Sequence, residues 1–423
     1  MFLTLEDPRA KIQGSRDPLG VQPIWSGFGR RLVSNLTTVS NSVRGFTVLL
    51  MGRYFGELLI GNGRAEEQDA LSIFLRTEQL CGYARYCIHD AEDTRGIERI
   101  RRNLAEGRTV LIDDNADGWI LSDQKTYGLW GLFSVAARVS GLLKDGPVGL
   151  TDAARDFVEQ EYIARLESVL PQLTRMVQDG ASIEVSKRNA VMKAIGAAMP
   201  PQLSHNEIEF YGGFLRDATL VPGQSAHQQQ QLLASKLESE TDLADWIGRR
   251  EIVALIEACN REDSSLARAL ANAARLEALL APADLIFDHM LTRHGQTPAT
   301  VARSFRDRWG SQVPNLEPSI EELLPDIEKW STHSLATGAK SLDDALHEGD
   351  YEEAIRTLLG WNHEVMSRRN AAPWVTLSDG ALDVRYRGTE SELPTGDELP
   401  FVWRNSYFLN SLKDVTAQIA GTS

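Results

Sequence analysis

The chain has 423 residues, 42% hydrophobic and 24% charged, the balance of a globular protein long enough to bury a sizeable core. A formal net charge of −15 argues against a general polyanion binder and leaves room only for a local basic patch. Cys81, Cys87 and Cys259 form no CxxC pair and no even set, so they fit a reducing compartment and offer no metal framework.

Taken in order, residues 1–30 hold Pro8, Gly14, Pro18, Gly20, Pro23, Gly27 and Gly29 without helical periodicity, which predicts an extended N-terminal arm. Glu6, Asp7 and Arg9 fall too early for a signal peptide. Over 31–60 a helix is expected, with Val43, Phe46, Leu50, Tyr54 and Leu58 near one face. Arg53 and Glu57 break the most apolar run, Phe46 to Ile60, so it cannot span a membrane. No membrane partner and a cytoplasmic location are therefore expected. A further helix is predicted over 65–90, with Leu71, Phe74 and Leu75 turned inward. Between 108 and 122 the pattern changes to strands, where TVLI and WILS flank Asp113-Asp114-Asn115-Ala116-Asp117-Gly118 and read as a hairpin. The oxygens at 113, 115 and 117 with Gly118 match half of a calcium loop. The twelfth position, however, is Gln124 where the loop needs a bidentate Glu, so a plain polar hairpin is expected.

Tyr127 to Tyr162 carries the most legible local plan: helix, tight turn, short strand, helix. Leu129, Leu132, Phe133, Ala136, Val139, Leu142 and Leu143 recur at helical spacing, and Lys144-Asp145-Gly146-Pro147 is turn chemistry. Val148-Gly149-Leu150 can form a strand, and Thr151 stands where an N-cap belongs. Beyond Tyr162 the pattern is almost wholly helical to about residue 370, punctuated by Pro200-Pro201, Pro222-Gly223, Pro282, Pro298 and Pro314. WVTL and ALDVRYR around Ser378-Asp379-Gly380 predict a hairpin, followed by a polar loop and a closing helix holding Trp403, Tyr407, Phe408 and Leu412.

Two resemblances bear on these stretches. GLL, a turn and LTDAARDFV resemble the second half of winged-helix domains of transcription regulators, where they follow the recognition helix. The resemblance implies that the helix holding Arg138 is the recognition helix and that Lys144 lies in the wing. That helix offers one basic residue, whereas readers of duplex DNA offer several to phosphates and base edges. A winged helix serving protein contacts is the simpler expectation. Over the whole chain, the phrases at 14–50, 127–142 and 403–412 (the last WRNSYFLNSL) resemble a family of uncharacterised bacterial proteins encoded near helicases and nucleases in phage-defence and restriction clusters. The expected fold is thus mainly α, a helix-rich multi-domain protein with a winged-helix-like unit and a small C-terminal α+β element. Its segments are an arm over 1–30, a helical domain with the winged-helix-like unit over 31–180, a helical domain over 181–370, and a hairpin plus closing helix over 371–423.

Signatures of catalysis are missing. The chain has no GxxxxGK[ST] loop, HExxH or GxSxG elbow, and Gly61-Asn62-Gly63 lacks the third glycine of a dinucleotide site. Pro325-Asp326 with Glu328-Lys329 has the letters of a nuclease motif but falls in a helix. His289, His294 and His363 have no partner at ligand spacing. No catalytic residue, metal or cofactor is assigned. Tyr83, Arg85 and Tyr86 could stack on bases, although aromatics so spaced usually pack. The charge pattern is more informative. From residue 9 to 53, Arg9, Lys11, Arg16, Arg30, Arg31, Arg44 and Arg53 face only Asp17, and Arg95, Arg99, Arg101, Arg102 and Arg108 form a second basic cluster. These arginines either pair internally with the many carboxylates, or contact nucleic acid, or dock an acidic protein. Arg16, Arg30, Arg31, Arg44, Arg53, Arg138 and Lys144 are the candidate partner or nucleic-acid residues. The expected function is a non-enzymatic subunit of a bacterial defence or DNA-processing complex, docking other protein subunits (a helicase or nuclease among them) and touching DNA. The alternatives are a winged-helix DNA-binding regulator and an enzyme with no linear signature.

Overall fold

The computed structural model describes residues 17–146, 148–221, 227–239, 246–313, 319–390 and 392–421. Helix makes up 64% of the structure, accompanied by two small antiparallel sheets, as the dominant helical periodicity implies. Packing divides the chain into two compact units, Val33–Thr241 with Phe408–Ser423, and Met1–Leu32 with Asp242–Tyr407. Each unit is discontinuous in sequence, so the units cut across the four segments read above. Among the described residues no helix is long and apolar enough to cross a membrane.

The 33–241 unit is built around the helix Val43–Gly61, which is buried on nearly every side, Arg44 and Arg53 included. The expectation of one apolar face understates it, because VRGFTVLLMGRYFG places large apolar side chains all round the helix. Residues 31–42, expected to be helical, form turns, and Ser42 starts the helix by accepting the Gly45 N–H at 3.1 Å. Close approach to its neighbours requires two glycines. A Cβ on Gly45 would stand 2.6 Å from the Phe133 ring, and one on Gly52 2.6 Å from the Phe74 ring. Phe74 and Leu75 belong to the helix Ala70–His89 and are buried as expected, while Leu71 is only half-buried.

The strand Thr109–Ile112 forms, but its expected partner at 119–122 does not. It pairs antiparallel with Ala181–Glu184, with Thr109 opposite Glu184 and Ile112 opposite Ala181. Residues 119–122 turn away because the Trp119 indole donates to the Asp114 carbonyl at 2.8 Å and the buried Ile120 donates its N–H to the Gln124 side chain at 3.2 Å. In the 127–162 stretch the helix Leu129–Val139, a single bridge between Leu143 and Leu150, and the helix Asp152–Val158 with its Thr151 cap follow in turn. Gly146 takes the turn at φ +106°, a conformation that favours glycine, and Pro147 lies outside the described residues.

In the 242–407 unit the long helix Ser264–Met290 starts at Asp263, whose carboxylate accepts the N–H groups of Ser265 and Leu266. Pro282 does not punctuate the chain as expected. It sits inside this helix among buried Leu279, Leu280, Ala283 and Ile286, where packing overrides the lost backbone donor. The described part of the N-terminal arm is also corrected. Pro23 opens a short helix, Gln22–Gly29, because its fixed φ suits the first helical turn, and Ile24, Trp25 and Phe28 are buried. The hairpin is present as predicted, Val375–Ser378 against Ala381–Val384, and Asp379 and Gly380 take φ of +51° and +78°, the turn that Asp-Gly favours. The closing helix is Leu409–Ala420 and belongs to the 33–241 unit. Trp403 and Tyr407 precede it, since Tyr407 and Phe408 both take positive φ and break the helical path.

Candidate functional site

The candidate basic residues are spread over both units and are largely occupied within them. Arg16 lies outside the described residues. In the 242–407 unit Arg31 forms a two-pronged ion pair with Asp326, which raises the guanidinium pKa and lowers that of the carboxyl. Burial lowers that of Arg30. In the 33–241 unit Arg44 is 3% exposed and pairs with the wholly buried Glu207, while its Nη2 also donates to the carbonyls of Pro200 and Gln202. Arg53 stacks 3.5 Å over the Trp130 ring and donates to Ser134 Oγ at 2.8 Å. Burial, helped by the Arg138 charge, pushes Arg53 down to about 10. Arg138 is half-exposed, and exposed Lys144 pairs with Asp152 at 2.9 Å. A guanidinium that is stacked or ion-paired inside the fold is not offered to a phosphate backbone.

The same holds for other motifs. Asp113 and Asp114 do not sit free in a cation loop. Arg76 binds Asp114 at 2.6 Å and Asp113 at 3.5 Å, and Ser72 donates to Asp114 at 2.6 Å. Asp114 is drawn down to about 2, with the Ser72 hydrogen bond the largest lowering influence against a burial effect that raises it. Gln124, the residue that spoils the calcium pattern, is buried and donates to the Leu75 carbonyl at 3.0 Å and to Glu78 at 2.7 Å. Tyr83 is buried and accepts from Asn103, so it offers no stacking face. His289 accepts the Arg293 Nε–H at 3.2 Å, and burial pushes it down to about 4. Among the described residues no group of three or more His, Cys, Asp or Glu could hold a metal ion.

The structure instead assembles a small polar cleft in the 33–241 unit. Its volume is about 60 Å³, and three arginines, Arg44, Arg85 and Arg95, line it beside Glu78 and Asp93. Arg44 opens the Val43–Gly61 helix, and Glu78 and Arg85 stand two turns apart on Ala70–His89. Asp93, Thr94 and Arg95 come from the turn that follows. Val48, Ile120, Leu129 and Phe133 supply apolar wall. Glu78 is 3% exposed, and its carboxyl accepts the Leu129 N–H and the Gln124 amide, both at 2.7 Å. Burial nevertheless dominates and raises its pKa to about 7.

That shift gives a pH test. The folded state holds the Glu78 proton more tightly than the unfolded chain, whose carboxyl has its ordinary value of 4.5. Its contribution is therefore most favourable below the unfolded value and is lost as pH rises through the folded one. Between about pH 4.5 and 7 the wild type is expected to lose up to about 3 kcal/mol more stability than Glu78→Gln. Urea unfolding at several pH values checks this; parallel curves would show that Glu78 titrates normally.

Of the cleft residues, Arg44, Arg85 and Arg95 stand out in the sequence as charges, but only Arg44 was selected there as a site residue. Glu78 was missed because nothing local marks a glutamate in a helix as buried. Glu207, the partner of Arg44, could have been found through the capping box Ser204-His205-Asn206-Glu207, in which the Ser204 hydroxyl accepts the Glu207 N–H and the Glu207 carboxylate accepts the Ser204 N–H. No family model, no curated protein and no solved structure matches this chain.

Proposed function

We propose that this protein is a non-enzymatic docking subunit of a bacterial defence or DNA-processing assembly, one that works by holding other protein subunits. The reading is supported above all by the outer face of the Leu129–Val139 helix. Val135 is 52% and Val139 37% exposed there, with Leu132 half-buried beside them, and Arg138 is the helix's one basic residue. An apolar stripe with a single cation suits a protein partner, since a helix that reads duplex DNA needs several donors to phosphates and base edges. The inward use of Arg31, Arg44 and Arg53 supports the same reading. The resemblance to proteins encoded beside helicases and nucleases suggests that the partner is an enzyme of that kind.

The rival winged-helix regulator is separated by a salt titration. Fluorescence anisotropy with labelled duplex DNA is expected to show weak association that Arg138→Ala leaves unchanged. Tight binding that falls steeply with salt and is weakened by Arg138→Ala would overturn the docking proposal in favour of the regulator.

A further inference from the structure

We propose that the cleft lined by Arg85 and Arg95, beside the Arg44–Glu207 ion pair, is a binding site for a small organic anion, its carboxylate or phosphate head held by the Arg85 and Arg95 guanidinium groups. The inference is independent of the docking reading. Glu207 balances Arg44 and Asp93 balances Arg85, which leaves the Arg95 guanidinium facing the buried Glu78. The raised Glu78 weakens the opposing charge further near neutrality.

The donor inventory favours a missing acceptor. Arg95 is half-buried, gives its Nε–H to the Tyr127 carbonyl at 2.7 Å, and has no carboxylate within ion-pair distance among the described residues. Its terminal nitrogens make no hydrogen bond among those residues, so a planar pair of donors is left for an oxyanion. Arg85 uses one terminal nitrogen on Asp93, at 2.7 and 2.9 Å, and its remaining nitrogens are likewise uncommitted among the described residues. Two buried donors on the lining residues, Arg44 Nε and the Thr94 hydroxyl, have no partner among the described residues. Buried donors left unmade are costly, and two of them on the lining of one small cleft favour a missing acceptor. Val48, Ile120, Leu129 and Phe133 give the ligand's carbon skeleton an apolar wall, the common composition of a small-molecule site. About 60 Å³ admits a head group with a short substituent and excludes a polymer.

Isothermal titration calorimetry of the full chain with inorganic phosphate and, separately, with butyrate distinguishes the two head groups. One-site binding by at least one of them is expected, weakened at least about ten-fold by Arg95→Ala with the melting temperature unchanged. Arg95→Gln, which keeps the side chain's bulk and one amide donor, provides a second variant if the alanine change disturbs the fold, and the same weakening is expected of it. No heat of binding with either anion up to about 50 mM would overturn the proposal. So would binding that persists unchanged in a folded Arg95 variant, since the anion would then sit elsewhere.

Discussion

Glu207→Ala is expected to destabilise the 33–241 unit by about 3–5 kcal/mol, the cost of breaking one partner out of a buried ion pair. Glu207 is fully buried and accepts from both terminal nitrogens of Arg44, from the Tyr162 hydroxyl at 2.6 Å and from the Ser204 N–H at 2.7 Å. Tyr162 in turn contacts the Tyr211 hydroxyl at 3.2 Å, and Thr47 lies within 3.0 Å of Tyr211. Removing the carboxylate therefore strands a buried cation and unsettles a hydroxyl chain that links three helices. It also removes the capping box that starts the helix His205–Tyr211. Replacing both partners, Arg44→Met with Glu207→Leu, should cost less than Glu207→Ala alone, because no charge is then left buried without a counterion. Urea unfolding of the three proteins checks both statements, and a single-variant loss below about 1 kcal/mol would show that water or another group replaces the carboxylate.

The second large effect is expected at Glu277, which is 1% exposed in the 242–407 unit. Its two oxygens accept four hydrogen bonds, from the backbone N–H groups of Arg404 and Asn405, from the Asn405 side-chain amide and from the Tyr407 hydroxyl. All four partners are donors, so the position needs a group that only accepts. Glu277→Gln keeps the shape but turns an amide NH₂ toward two of those donors, and a loss of about 2–4 kcal/mol is expected. The loss should appear in the fluorescence of Trp403, whose ring centre lies 5.5 Å from that of Tyr407. A near-neutral result would mean that Tyr407 has rotated its hydroxyl to accept and that Asn405 has released its contact.

Local rules carried well where neighbours in sequence settle the structure. The Asp379-Gly380 turn, the Thr151 cap and the core positions Phe46, Phe74 and Phe133 could all be read directly. What could not be read is pairing across long separations. Thr109–Ile112 announces itself as a strand, but its partner Ala181–Glu184 lies about seventy residues on, in a stretch whose surroundings are helical. The burial of Arg44 is similar, since a sequence shows the charge but not the distant Glu207 that lets it enter the core. The cleft was the least legible of all, because its lining residues come from five separate segments and share no motif.

The docking account is tested most directly by the native mass of the complex that a tagged chain forms in its host, compared with Val135→Asp/Val139→Asp. Both side chains are already exposed, so the double change should leave the melting temperature nearly unchanged. Light scattering is expected to find the wild type in a nuclease-resistant assembly with stoichiometric protein subunits, and the variant alone. An assembly that survives the double change, or one that falls apart on nuclease treatment, would contradict the account.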